Sequence, residues 1–165
     1  MKVLYINDEL ATHDGSNYHA LGIFHNLIKL IGEENVRSYP AAADGSAAPA
    51  AHDSLAFREK HKFVLQLLRP VRKTMLSHIR AKKLIRELEA DGFVPTHVLA
   101  RSVLFDTTAI SVASYFSAKL VYEVNTPMYY EHCEINGLPL QRAVERWERK
   151  ILEKCHGIYV VSSIC

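Results

Sequence analysis

Residues 118–131 read AKLVYEVNTPMYYE and gather Glu123, Asn125 and Glu131 into one short stretch. Carboxylates accept hydrogen bonds and can carry a proton, and an asparagine amide both donates and accepts. Such a set can fix a polar ligand, although an amide is no general base. Leu120, Val121, Tyr122 and Val124 form a β-branched and aromatic run suited to a strand buried on both faces. Pro127 cannot donate to a ladder and pushes Thr126 towards extended geometry, so the strand must stop and open into a loop. Residues just past the C-terminal end of a buried parallel strand reach the crevice where open α/β sheets bind ligands. Glu123, Asn125 and Glu131 are therefore the first candidates for chemistry.

The remaining chain supplies the scaffold. Residues 2–6 (KVLYI) form a first strand that breaks into Asn7, Asp8 and Glu9, followed by a polar loop with Gly15 and Ser16. Leu21, Phe24, Leu27, Ile28 and Ile31 then recur at helical spacing, with Ser16 or Asn17 as cap and Gly32 at the C-terminal end. A helix start after such a loop offers free N–H groups and partial positive charge, which suits an anion. The phosphate fingerprints G-x-G-x-x-G and G-x-x-x-x-G-K-[ST] are both missing, and an ordinary β–α turn would use the same residues.

Residues 35–39 predict a second strand, and the alanine-rich stretch 41–51 a mobile surface loop. Residues 55–89 predict helix, with Pro70 in the first turn of a second helix. Val64, Leu67, Leu68, Val71, Met75 and Ile79 make one apolar stripe, continued with drift by Leu84, Ile85 and Leu88. Ten basic residues from Arg58 to Arg86 are placed on the opposite face, where Glu59 is the only acid. A basic amphipathic helix of this kind suits an anionic membrane surface or a phosphorylated ligand, and a merely solvated face has the same composition.

Residues 96–101 (THVLAR) predict a third strand, and Asp106 or Thr107 caps a short helix leading into the strand at 120–124. Pro139 opens a last helix with Val144, Trp147, Ile151 and Leu152 on one side, and residues 157–162 (GIYVVS) predict a fifth strand. Alternation of strands and helices predicts an α/β fold with an open parallel sheet. The expected order is second, first, third, fourth, fifth, with a switch point between the loop after Ile6 and the loop after Arg101.

A chain of 165 residues, 48% apolar and 23% charged, fits a single domain spanning residues 1–165. Cys133, Cys155 and Cys165 have no metal-ligand spacing, and reduced thiols in a cytoplasmic protein are expected. No apolar run approaches the roughly 18 residues of a membrane span. The histidines His13, His19 and His25 are six apart and read as ordinary polar residues. No nucleophile elbow is present. YINDEL resembles the acidic pocket of response-regulator receivers, but Arg101 stands where that family needs an aspartate.

YEVNTPMYYE, followed by ERWERKILEKCHGIYVVSS, resembles the N-terminal half of glycosyltransferase family 4 enzymes of the GT-B fold. KVLYINDELATHDGSNYHALGIFHNLIKL is similar to that family's first strand, glycine loop and long first helix, and THVLAR to its strand ending in a polar residue at the cleft. Two positions depart from the pattern: Ser16 replaces a second glycine, and Asn125 a histidine.

The resemblance implies a Rossmann-like open sheet of about five strands that forms the acceptor-binding half of a retaining glycosyltransferase. The half that binds the nucleotide sugar would be absent from this chain, leaving it inactive alone. It further implies that Gly15 and Ser16 face the donor phosphates, while Arg101, Asn125 and Glu131 bind sugar hydroxyls. Expected partners are a nucleotide-sugar donor and a sugar or lipid-linked acceptor, with peripheral contact at the inner membrane face and no nucleic acid. No metal, no cofactor and no assigned catalytic residue accompany this reading. The rival is a non-catalytic α/β binding module whose basic helix docks an anionic partner.

Overall fold

The computed structural model describes residues 1–11, 15–40, 62–135 and 140–160. Five strands, β1 (Val3–Ile6), β2 (Val36–Tyr39), β3 (His97–Arg101), β4 (Lys119–Val124) and β5 (Gly157–Val160), form one sheet in the order β2-β1-β3-β4-β5. All four pairings are parallel. This is the Rossmann-like α/β fold and the strand order that the alternating pattern predicts. Among the described residues four α-helices accompany the sheet: α1 (Gly15–Ile31), α2 (Lys62–Ala90), α3 (Thr108–Tyr115) and α4 (Gln141–Leu152).

The period of two along each strand divides the core. Leu4, Ile6, Val98, Ala100, Leu120 and Tyr122 point to one face, where they pack with Ala81, Leu84 and Leu88 of α2, Val112 of α3, and Val144 and Ile151 of α4. Tyr5 and Leu99 point to the other face and pack against Ala20, Phe24 and Leu27 of α1. The strands β1, β3 and β4 are covered on both sides, which is why their sequences read as nearly continuous apolar runs.

Local chemistry fixes the element ends. Gly32 follows α1 with φ of 89°, a region that side chains disfavour, and its N–H donates to Ile28 O at 2.9 Å. The Asp106 carboxylate accepts from Thr108 N at 2.7 Å at the start of α3. Thr107 does not cap; its hydroxyl pairs with Ser77 Oγ at 2.8 Å.

Three expectations need correction. The first helix begins at Gly15, so Ser16 and Asn17 lie inside its first turn rather than at its cap. Pro70 opens no second helix: it lies within the continuous α2. Strong helix formers on both sides of Pro70 carry the helix through the one backbone bond that proline removes. The predicted single apolar stripe of α2 is in fact two opposed faces. Ser77, Ala81, Leu84 and Leu88 are buried, whereas Leu68, Val71, Met75 and Ile79 are exposed and share their side with Arg72, Lys82 and Arg86. The expected loop at 41–51, the helical start at 55–61, the cap role of Pro139 and the end of the last strand at 161–162 lie outside the described residues, as do the side chains of Val64 and Leu67.

Candidate functional site

The order β2-β1-β3 makes the chain leave β1 and β3 in opposite directions across the sheet. The gap so formed at the strand C-termini is where an open α/β fold admits ligands. A cleft of about 290 Å³ lies there, near the lower end of small-molecule sites at about 300–1,000 Å³. Its walls come from four elements: Asn7, Asp8 and Glu9 after β1; Arg101 and Ser102 at the end of β3; Asn125, Thr126, Met128 and Glu131 after β4; and Lys73 of α2. Arg101, Asn125 and Glu131 are thus brought into one cleft.

Each wall is braced. Asn7 is buried; its amide donates to Tyr5 Oη at 2.8 Å while its side-chain oxygen accepts from Glu9 N at 3.0 Å. That turn, the 3-10 helix Asp8–Ala11, aims Glu9 at Arg101, with which it forms an ion pair. Asp8 pairs with Arg80, whose guanidinium also lies 3.6 Å from Asp106. Burial opposes the Arg80 charge, but the hydrogen bond and charge of Asp8 outweigh it and raise its pKa. Arg101 therefore pairs with Glu9, and Asp106 is left to Arg80 and the α3 cap.

Beyond Pro127, the Met128 N–H donates to Glu148 Oε1 at 2.7 Å, tying the loop to α4. The Glu131 N–H donates to Pro127 O at 3.1 Å and opens the π-helical turn Tyr130–Ile135. The Glu131 side chain is exposed at the cleft wall. Asn125 bridges two charges. Its hydrogen-bonding surroundings orient the amide so that the oxygen accepts from Arg101 Nη2 at 2.9 Å and the nitrogen donates to Glu123 Oε1 at 3.1 Å.

Glu123 is the residue whose place differs most from expectation. Register pairs it with Arg101 on the α1 face of the sheet, and it is fully buried there rather than open to the cleft. Its Oε1 lies 3.3 Å from His19 Nε2 on α1, while its Oε2 has no hydrogen-bond partner among the described residues. A buried carboxylate needs compensation: the Asn125 amide donates to it, and His19 Nε2 lies close to it without a hydrogen bond to any described residue. His19 is thus no ordinary surface histidine. Charges of Glu123 and Glu9 also reach Tyr5, whose pKa burial raises most.

Gly15 and Ser16 form the first two residues of α1, and the Ser16 side chain lies outside the described residues. Sequence reading did not single out Glu9, Lys73 or His19 as site residues. The run Asn7-Asp8-Glu9 directly after a strand was a usable signal for the first. Lys73 and His19 owe their positions to tertiary packing, which spacing does not reveal. Among the described residues no group of three or more His, Cys, Asp or Glu side chains could hold a metal ion.

The fold and the cleft together define an α/β sheet protein with a small polar cleft at its topological switch point. The chain matches no protein-family model, no curated protein and no solved structure.

Proposed function

We propose that this domain is the acceptor-binding half of a retaining glycosyltransferase and that its switch-point cleft holds sugar hydroxyls. The observation that carries the reading is the placement of Arg101, clamped by Glu9 and Asn125, beside the exposed carboxylate of Glu131 in one cleft. Polyhydroxylated ligands need several fixed donors and acceptors. A guanidinium has five N–H donors, more than Glu9 and Asn125 use, and Glu131 accepts. Because Arg101 is held before a ligand arrives, little ordering entropy is lost on binding. Lys73 adds a second cation to the cleft, suited to a phosphate of a nucleotide diphosphate sugar. In this reading the nucleotide itself is held by a second Rossmann-like domain, and the present domain contributes the acceptor wall.

Saturation-transfer NMR on the 165-residue chain, with a panel of monosaccharides and nucleotide sugars, tests the proposal. Saturation should reach sugar ring protons and fall about tenfold or more in Arg101→Met and in Glu131→Gln, since a hydrogen bond to a charged group contributes about 1.5–3 kcal/mol. Absence of saturation across the panel contradicts sugar binding. Sugar transfer by this chain alone would contradict the division of labour between two domains.

A further inference from the structure

The helix α2 carries two apolar faces, and only one is covered. Ser77, Ala81, Leu84 and Leu88 are buried against the sheet layer. At helical spacing, Leu68, Val71, Met75, Leu76 and Ile79 fall on the other side and are between 52% and 69% exposed. Among the described side chains of α2, every buried one lies at or after Ser77, and residues 70–76 have none buried. These five apolar groups stand in water, grouped rather than scattered, which marks an interaction surface.

The apolar surface continues sideways. Val71 and Met75 look across an open groove of about 820 Å³ to Phe105 and to Trp147 of α4, with Arg146 and Lys150 in the same wall. Charge identifies the occupant. From Lys62 to Arg86 the sequence contains no Asp or Glu, and Arg72, Lys82 and Arg86 are exposed on the side of the apolar stripe.

We propose that this face of α2, with the lip of the groove, docks on an anionic lipid bilayer. The apolar side chains enter the headgroup boundary, and the flanking cations pair with lipid phosphates. Interfacial helices bind through this sum of buried apolar area and attraction to anionic lipid. A second copy of the chain fits less well, because two such acid-free faces brought together would oppose like charges. The surface is separate from the sugar cleft, so either proposal can fail while the other stands.

The test is co-sedimentation of the 165-residue chain with vesicles of phosphatidylcholine alone, or of equal parts phosphatidylcholine and phosphatidylglycerol. The single tryptophan, Trp147, reports independently, since its emission should shift to the blue when the groove lip meets lipid. Binding is expected only with phosphatidylglycerol and should weaken in molar salt, where screening acts over about 3 Å.

Two variants at exposed positions divide the terms, and circular dichroism confirms that each keeps the fold. Val71→Ser/Met75→Ser/Ile79→Ser should lose binding by about tenfold or more, since each buried methylene contributes about fourfold. Arg72→Glu/Lys82→Glu/Arg86→Glu should lose about a hundredfold or more, at about fivefold for each cation removed. Failure to sediment at low salt overturns the proposal, as does equal binding to both vesicle types. Wild-type binding by the folded serine variant also overturns it. So does a concentration-dependent dimer that the serine variant abolishes, for then the stripe belongs to a second copy.

Discussion

Replacing His19 by alanine would leave Glu123 as a wholly buried carboxylate without its histidine partner. His19 Nε2 lies 3.3 Å from Glu123 Oε1, and Oε2 already has no partner among the described residues. Breaking a fully buried pair costs about 3–5 kcal/mol, and losing a solvent-exposed one about 0–1 kcal/mol. The His19 side chain is 38% exposed, so water can enter the space it vacates. A half-exposed histidine beside a buried carboxylate falls between these limits, and His19→Ala should destabilise by about 2 kcal/mol. For a chain of this length that is a fall in Tm of about 4–8 °C.

The charge is the source of the cost, so the double variant His19→Ala/Glu123→Gln should recover most of it. His19→Gln, which keeps a donor, should lie between. Urea unfolding followed by circular dichroism measures all four corners of the cycle, with equal m values required. A coupling of about 1 kcal/mol or more is expected. If His19→Ala shifts stability by less than about 0.5 kcal/mol, the pair does not compensate the buried charge. The same conclusion follows if Glu123→Gln is as harmful in the alanine background as in the wild type.

Two further outcomes follow from the core and from a turn. Tyr5 and Tyr122 both have pKa values raised well above the ordinary 10.0, chiefly by burial. Between the unfolded and folded values the native state binds more protons, so stability should be full below pH 10 and fall above it. The slope should approach about 2.7 kcal/mol per pH unit for two such groups. Urea midpoints measured upward from pH 9 check this, and Tyr122→Phe should reduce the slope by about half. Gly32→Ala should cost about 1–3 kcal/mol in thermal or urea unfolding, because φ of 89° with ψ of 146° is a region for glycine alone. Unchanged stability would mean that the turn rearranges freely.

The sheet was legible because β1, β3 and β4 are covered on both faces and therefore write unbroken apolar runs into the sequence. Strand order followed from that alternation together with the rarity of other connections. The site was legible where it depends on a strand end: Pro127 stops β4, and Arg101 closes β3. Residues that owe their role to packing were not. Glu123 looks like a cleft residue because it precedes the turn, yet the period of two turns it towards α1. His19 looks like one of many histidines until the helix brings it over that carboxylate. On α2, the apolar positions drift around the axis, and periodicity alone cannot say which of two apolar faces the core will take.

Chemical-shift mapping tests the central claim most directly. The amide spectrum of the 15N-labelled chain, titrated with the sugar or nucleotide sugar that gives the strongest saturation transfer, should change at Asn7–Glu9, Arg101–Ser102 and Asn125–Glu131 together. All three segments line the switch-point cleft. Shifts confined to α2 and α4, or scattered over the surface with no cluster at Arg101 and Glu131, would contradict a sugar site there.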